Sequence, residues 1–430
     1  MKSRRLTCWL VVVAAVGAGI MIGVIFDQRS IPPGAGATAA RGEADDYPAF
    51  RGADGLAVVR GAKLAADWNT RPPRELWRRK IGAGWGAFAI AGGRAFTQEQ
   101  RGAQETVVCY ELSTGRELWV HAEAVHFQDP EGGDGPRATP TAAGDRIFAL
   151  GATGKLNCLD GTTGEPRWSA DVFLYNGADT PYHGASGSPL VVAGLVVVSA
   201  GGAGGRSLVA YEQDTGRRVW QAGDDPAGYG SPLMCELSGN RQIVILNQPG
   251  LAAHDPRTGA VLWTYSWENS LRSNCSQPVP LSGGRLFVSS GHGRGCAVLR
   301  IQRNGDLWSA SPLWTARRMN TKFTSVVVRN EFAYGLDNGI LSCIDLSDGT
   351  RRWKQGRYGN GQLLLAGDLL IVQTEPGDVV LVGAAPERYR ELSRYPALAE
   401  KTWNHPALGG RFLLLRNDRE AVCLELPLEQ

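Results

Sequence analysis

VVCYELSTGRELW, residues 107–119, has four siblings in the same chain. They are LNCLDGTTGEPRW ending at Trp168, LVAYEQDTGRRVW at Trp220, LAAHDPRTGAVLW at Trp263 and LSCIDLSDGTRRW at Trp353. Aligned on Gly115, Gly164, Gly216, Gly259 and Gly349, the copies share a Trp four residues later and an acid four residues earlier. A small residue stands six earlier (Cys109, Cys158, Ala210, Ala253, Cys343) and Val or Leu eight earlier. The small and apolar columns share one face of a strand, because strand side chains alternate. The acid and the Thr-Gly pair make a turn. Glycine supplies the positive φ, and the carboxylate accepts nearby backbone N–H groups. Each copy is therefore a β-hairpin whose last strand presents one large aromatic.

Upstream of each copy lie two more strand-like runs, such as the one in SPLVVAGLVVVSAGG before Leu208. The copies recur at about 45 residues, with one double interval before Gly349, and four strands per such unit is the arithmetic of a propeller blade. The Leu76-Trp77-Arg78 strand has no blade of its own, while Phe412–Leu415 and Ala421–Leu426 lack a closing Trp strand. Ring closure solves both problems, since the Trp77 strand completes the last blade and removes a sheet edge. The reading is all-β: an eight-bladed propeller of four-stranded blades, closed by an N-terminal strand and preceded by one transmembrane helix. Its blade-docking residues are Trp77, Trp119, Trp168, Trp220, Trp263, Trp314, Trp353 and Trp403. Two copies are degenerate. Before Trp314 the turn at Asn304-Gly305 is displaced by an insertion, and before Trp403 residues 384–401 replace the turn, with room for a short helix.

Leu6 to Phe26 carries no charge. At ~1.5 Å per residue it spans the roughly 30 Å core of a bilayer. Lys2, Arg4 and Arg5 precede it, so the positive-inside rule leaves residues 1–5 in the cytoplasm and the propeller outside. A cleaved signal peptide is the competing reading of residues 6–26. Residues 27–46, rich in Gly, Ala and Pro, read as a linker, and residues 47–430 as the propeller domain. The location expected is a bacterial inner membrane, single-pass, with the propeller in the periplasm or outside. A net charge of +3 without a basic run excludes a nucleic-acid partner.

The column pattern small–x–acid–x–x–Thr–Gly–x3–Trp resembles the PQQ-repeat (quinoprotein-like) β-propeller family over roughly residues 74–427. The lead-in YPAFRG resembles a segment that often precedes bacterial members. The layout is similar to the BamB-like members, assembly lipoproteins of the envelope, but no lipobox cysteine is present. The resemblance implies a binding or assembly scaffold with protein partners, which the apolar run at 6–26 would tether to the membrane as a monomeric propeller. Its alternative is a PQQ-dependent quinoprotein oxidoreductase acting on an alcohol or sugar. That alternative needs PQQ, calcium, a catalytic Asp and often a vicinal disulfide. No Cys-Cys pair occurs, so no catalytic residue, metal site or cofactor is assigned.

In a propeller the loops entering the innermost strands converge on one mouth. The residues at those positions are Trp85, Arg137, Thr139, His183, Ser186, Tyr229, Asn274, Lys322, Asn404 and His405. These aromatic and hydrogen-bonding types suit a ligand or peptide site. None is a carboxylate, so a hard cation lacks its oxygen ligands. The Ser-Pro and Thr-Pro pairs among them also start strands for purely structural reasons. Of the eight cysteines, Cys109, Cys158, Cys343 and Cys423 fill the small column. Cys275 and Cys296 lie where one blade could pair them, which an extracytoplasmic location permits.

Overall fold

In the computed structural model, which describes residues 46–429, eight blades of four antiparallel strands follow one another along the chain, the seventh carrying Val58–Val59 as a fifth, parallel strand on its inner edge. In the first seven, the four blade strands run in sequence order from the axis outward. The first blade comprises Ala89–Ala91, Arg94–Arg101, Gln104–Glu111 and Glu117–Glu123. The eighth comprises Ala407–Gly409, Phe412–Arg416 and Glu420–Glu425, with Arg74–Lys80 hydrogen-bonded outside them. The two ends of the chain thus close the ring in the register Trp77↔Cys423. Middle strands such as Leu195–Ser199 and Phe412–Arg416 lie between neighbouring blades and are buried on both faces, hence their unbroken apolar sequences. Outer strands alternate exposed and buried positions.

The five repeat columns acquire separate tasks. Asp160 Oδ1 accepts the N–H groups of Thr162 (2.8 Å) and Thr163 (3.0 Å), while Glu111 takes the hydroxyl of Thr114 instead. Cys109 stands opposite Trp119 and Cys158 opposite Trp168, and the register shifts directly after each. The Trp119 ring covers Gly164 of the next blade: φ there is 77°, and a Cβ would come within 2.5 Å of the ring. The indole N–H groups of Trp77, Trp119, Trp168, Trp314 and Trp353 each donate to a carbonyl on the following blade. Trp220 covers Gly259 in the same way. Trp263 differs. The following blade replaces the short turn with two ten-residue strands, Gly295–Asn304 and Leu307–Ala316. Trp308 and Ala310 of that hairpin pack against the core cluster that holds Trp263, whose N–H turns to Gln242 Oε1 at 2.7 Å.

Trp403 does not belong to this set, contrary to the expectation from sequence. The outer strand of the seventh blade is Glu391–Pro396, which also replaces the expected helix, and Ser393 occupies the docking column opposite Leu381. The cause is ring closure. The eighth blade takes its outer strand from the N-terminus, so it has no turn for a Trp of the seventh blade to cover. The lead-in fills the space: Ala65 N donates to Pro427 O (2.8 Å), Trp68 N donates to Ser393 Oγ (3.0 Å), and the Trp68 ring is buried.

No helix among the described residues is long and apolar enough to cross a membrane. The expected span at residues 6–26 and the tail at 1–5 lie outside the described residues, as does residues 27–45 of the linker. The seven described cysteines are free, including Cys275 and Cys296.

Candidate functional site

The loops from each outer strand to the next inner strand all open on one face, where they form a cup of about 260 Å³. Six of the residues expected there line it: Trp85, Arg137, His183, Ser186, Tyr229 and His405. Four do not. Thr139, Asn274 and Asn404 are buried and structural, and Lys322 lies exposed outside the cup. Asn274 Nδ2 donates to the carbonyls of Asn247, Gln248 and Trp267, and Asn404 Nδ2 to those of Gly84 and Gly86. Thr139 belongs to a girdle of hydrogen bonds around the channel. Ala87 N donates to Thr139 Oγ1, Thr139 N to Ser188 Oγ, Ser188 N to Ser231 Oγ, Ser231 N to Gln277 Oε1 and Gln277 N to Ser325 Oγ, each at 2.9 Å. The Ser-Pro and Thr-Pro signature is thus an inter-blade tie. Ser188→Ala leaves the buried Thr139 N–H unpaired and is expected to cost about 1–2 kcal/mol in urea unfolding. Ser186→Ala, which loses only a 3.2 Å bond to Gly184 O, is expected to change stability little.

The floor comes from the lead-in. Tyr47 pairs with Ile90 through two 2.9 Å bonds, Pro48 O accepts from Ala142 N (2.7 Å), and Val58–Val59 runs parallel to Gln362–Ala366. The segment therefore crosses between inner strands of the first two blades and the seventh. Gly52, with φ 84° and the Tyr47 ring at 3.0 Å from a would-be Cβ, makes the bend. Buried Arg51 donates to the carbonyls of Gly55, Leu56 and Val326. Phe50 lines the cup and meets the His405 ring edge-on at 5.7 Å. Burial, and next the charge of Arg51, push His405 down to about 3, so its imidazole is neutral. Its two ring nitrogens face the carbonyls of Pro406 (2.7 Å) and Leu363 (3.1 Å), and the single N–H of the neutral ring donates to one of them.

One wall is aromatic. Trp403 packs against Trp85 at 5.0 Å and Phe323 at 4.9 Å, and its N–H donates to Glu375 Oε1 at 2.7 Å. Trp85 is pinned through its N–H to Gly132 O. The segment that Trp85 bonds to carries carboxylates that the sequence reading missed. A small hairpin, Gln128–Asp129 with Gly133–Asp134, brings Asp129 and Glu131 to the cup. Asp129 Oδ1 accepts the N–H groups of Glu131 (2.9 Å) and Gly132 (2.6 Å), and Oδ2 accepts Arg137 Nη2 (2.7 Å). Burial pulls its pKa upward, but these bonds outweigh it and hold Asp129 below the ordinary carboxylate range. His183 Nδ1 lies 3.4 Å from Asp129, and its ring sits 5.3 Å from that of Tyr229. Burial pushes the Cys275 thiol up to about 11, so it is protonated at neutral pH. Among the described residues, no three His, Cys, Asp or Glu come together in a metal-holding group. The turn chemistry of DPEGG at 129–133 was the available signal for the hairpin; nothing local to Phe50 or Phe323 marked them.

Fold and repeat define the class: a PQQ-repeat β-propeller with its lead-in segment laid against the inner strands beneath the cup. A family model described as "Outer membrane protein assembly factor BamB" matches residues 103–355, and the chain belongs to that BamB-like family. It is 24% identical over 260 residues to an outer membrane protein assembly factor BamB of Moranella endobia, covering 57% of this chain and 64% of that protein. The chain spans less than two thirds of the length of the curated relatives it matches. Among solved structures, BamB from Moraxella catarrhalis aligns with TM-score 0.60 at 16% identity, over 83% of this chain and 99% of that one. Quinohemoprotein alcohol dehydrogenase from Comamonas testosteroni aligns with TM-score 0.64 at 14% identity, over 90% and 81%. At these identities the two structures report the fold alone.

Proposed function

We propose that this chain is a protein-binding scaffold of the bacterial envelope, its propeller outside the cytoplasmic membrane, which docks a partner over the aromatic cup. The observation that carries this reading is the plugged channel. The chain's own Phe50 and Arg51 fill the floor, leaving one shallow mouth whose wall is aromatic. Rigid aromatic anchors beside satisfied polar groups suit a protein interface. The naming of relatives as outer membrane protein assembly factors supports the same role.

The competing reading, a quinone cofactor with calcium, is supported by the propeller neighbours that are dehydrogenases. The donor set does not fit it. Both oxygens of Asp129 are engaged by Arg137 and backbone N–H groups, whereas calcium takes six to eight oxygen ligands.

The test is photo-cross-linking in cells. A cross-linking residue at exposed Tyr182, on the mouth, is expected to give discrete protein adducts. One at exposed Val219, at the turn end of an outer strand, is expected to give none. Adducts from Val219 alone would remove the reading. So would turnover of alcohols or aldoses by purified protein given PQQ and Ca²⁺.

A further inference from the structure

The cup has an uneven lip. Lys401 places its ammonium 4.2 Å from the Trp403 ring and 4.9 Å from the Trp85 ring. Among the described residues it forms no ion pair, and neither do Lys322, Arg317 or Arg294 on the neighbouring mouth loops, although Lys322 lies near enough to the Glu375 carboxylate to help hold its pKa down. The loops of the first three blades carry mainly the opposite sign: Glu131, Asp179 and Asp224 are exposed there, Arg137 is buried and committed to Asp129, and Arg206 is the cation that stands among them. The face is therefore cationic beyond Trp403 and anionic beyond His183, with the aromatic cup between.

We propose that the cup receives one aromatic side chain from an acidic segment of a partner protein, its carboxylates lying along Lys401, Lys322 and Arg317. The proposal rests on the scaffold reading and specifies what the scaffold recognises. At about 260 Å³ the cup falls below the ~300–1,000 Å³ of small-molecule sites, so it suits a single side chain. Trp85, Trp403, Phe323 and Phe50 offer ring edges and faces to an incoming ring. A cationic side chain would have to displace Lys401 from the same two rings and then face Lys322. A sugar needs free hydrogen-bonding groups, and Asp129, Arg137 and His405 already spend theirs on the protein itself. The acidic loops of the first three blades repel the segment, so it leaves the cup over the fifth to eighth blades.

The probe is a fluorescein-labelled Glu-Asp-Trp-Asp-Glu peptide, titrated by anisotropy into the purified full chain at low salt. Saturable binding is expected. It should weaken about ten-fold with Lys401→Glu, and about ten-fold when alanine replaces the peptide's Trp. It should weaken further as salt rises. Lys401 is exposed, and an unchanged melting curve confirms that K401E still folds. Equal binding of a Lys-Lys-Trp-Lys-Lys probe overturns the proposal. So does indifference to the Trp, or displacement by maltose. If Tyr182 cross-links persist while no acidic probe binds, only this proposal fails. If the cross-links are absent too, the scaffold reading fails with it.

Discussion

Leucine at Arg416 is expected to cost about 4 kcal/mol of stability. Arg416 ends the second strand of the eighth blade and is 1% exposed. Its guanidinium reaches across the closure seam into the first blade. Nη1 donates to Thr97 Oγ1 (2.6 Å) and Gln98 O (2.8 Å), Nη2 to Gly82 O (3.0 Å) and Gly84 O (3.3 Å), and Nε to Asn417 O (3.3 Å). Among the described residues the charge has no carboxylate in direct contact, though Glu99 lies near enough to favour it; carbonyl and hydroxyl oxygens solvate it. Leucine fills much of the volume but donates nothing, so several buried acceptors lose their partner together, at about 1–3 kcal/mol each before relaxation. Lysine restores only part of the loss, because a point charge cannot span oxygens arranged around a planar fork. Urea unfolding at neutral pH measures it as a lower midpoint with unchanged slope. A loss below about 1 kcal/mol would mean water solvates those carbonyls. The exposed Arg60–Asp54 pair is the control, expected within about 0.5 kcal/mol of wild type when broken.

That seam also shows how far sequence carried the fold. The repeat columns gave the number of blades because each column has one physical task, whether to pack, to turn or to cover a glycine, and the task recurs with the blade. Closure followed from two incomplete blades needing each other. Trp403 misled because spacing alone put it where a docking Trp was due. Only the geometry of closure reveals that the seventh blade has no turn to cover, and that Trp68, more than 300 residues away, lies beside Ser393 instead. The cup was half legible. Loop positions pointed to Trp85, Arg137, His183, Ser186, Tyr229 and His405, since the topology forces those loops together. Phe50 comes from a segment outside the repeat, and Asp129 from an insertion in a single loop. Periodicity is silent about both. Thr139, Asn274 and Asn404 look the same in sequence as ligand-binding residues, and only their partners reveal that they tie the blades to one another.

Replacing Glu105 by glutamine is expected to stabilise the protein in mild alkali and to expose an acid weakness that the wild type conceals. Glu105 lies on the third strand of the first blade, 6% exposed, where Oε2 accepts from Ala152 N at 3.1 Å. Burial, opposed in part by that N–H and by Arg137, pushes it up from 4.5 to about 7. Between pH 4.5 and 7 the folded state therefore keeps a proton that the unfolded chain has released, and stability falls as pH rises through this window. At pH 8 the wild type bears the full cost of a buried carboxylate, about 3 kcal/mol for a shift of this size. Glutamine removes the charge and keeps an acceptor for Ala152, so Glu105→Gln should gain about that much at pH 8. The gain should shrink below pH 7 and vanish below 4.5. His405 works in the opposite sense. Held near 3 against 6.5 in the unfolded chain, it makes stability fall as pH drops below 6.5, because only the unfolded state takes up the proton. From pH 6.5 to 4.5 the two slopes cancel in the wild type. In E105Q the His405 slope stands alone, about 1.4 kcal/mol per pH unit, so acid loss begins near pH 6.5. Asp129 and Asp337, both held below the ordinary range against the pull of burial by their hydrogen bonds, add to it only at lower pH. Urea midpoints of the two proteins from pH 4 to 8 should converge towards the acid end. If E105Q is the less stable protein at pH 8, Glu105 is a stabilising ion there and the assignment of its buried proton is wrong.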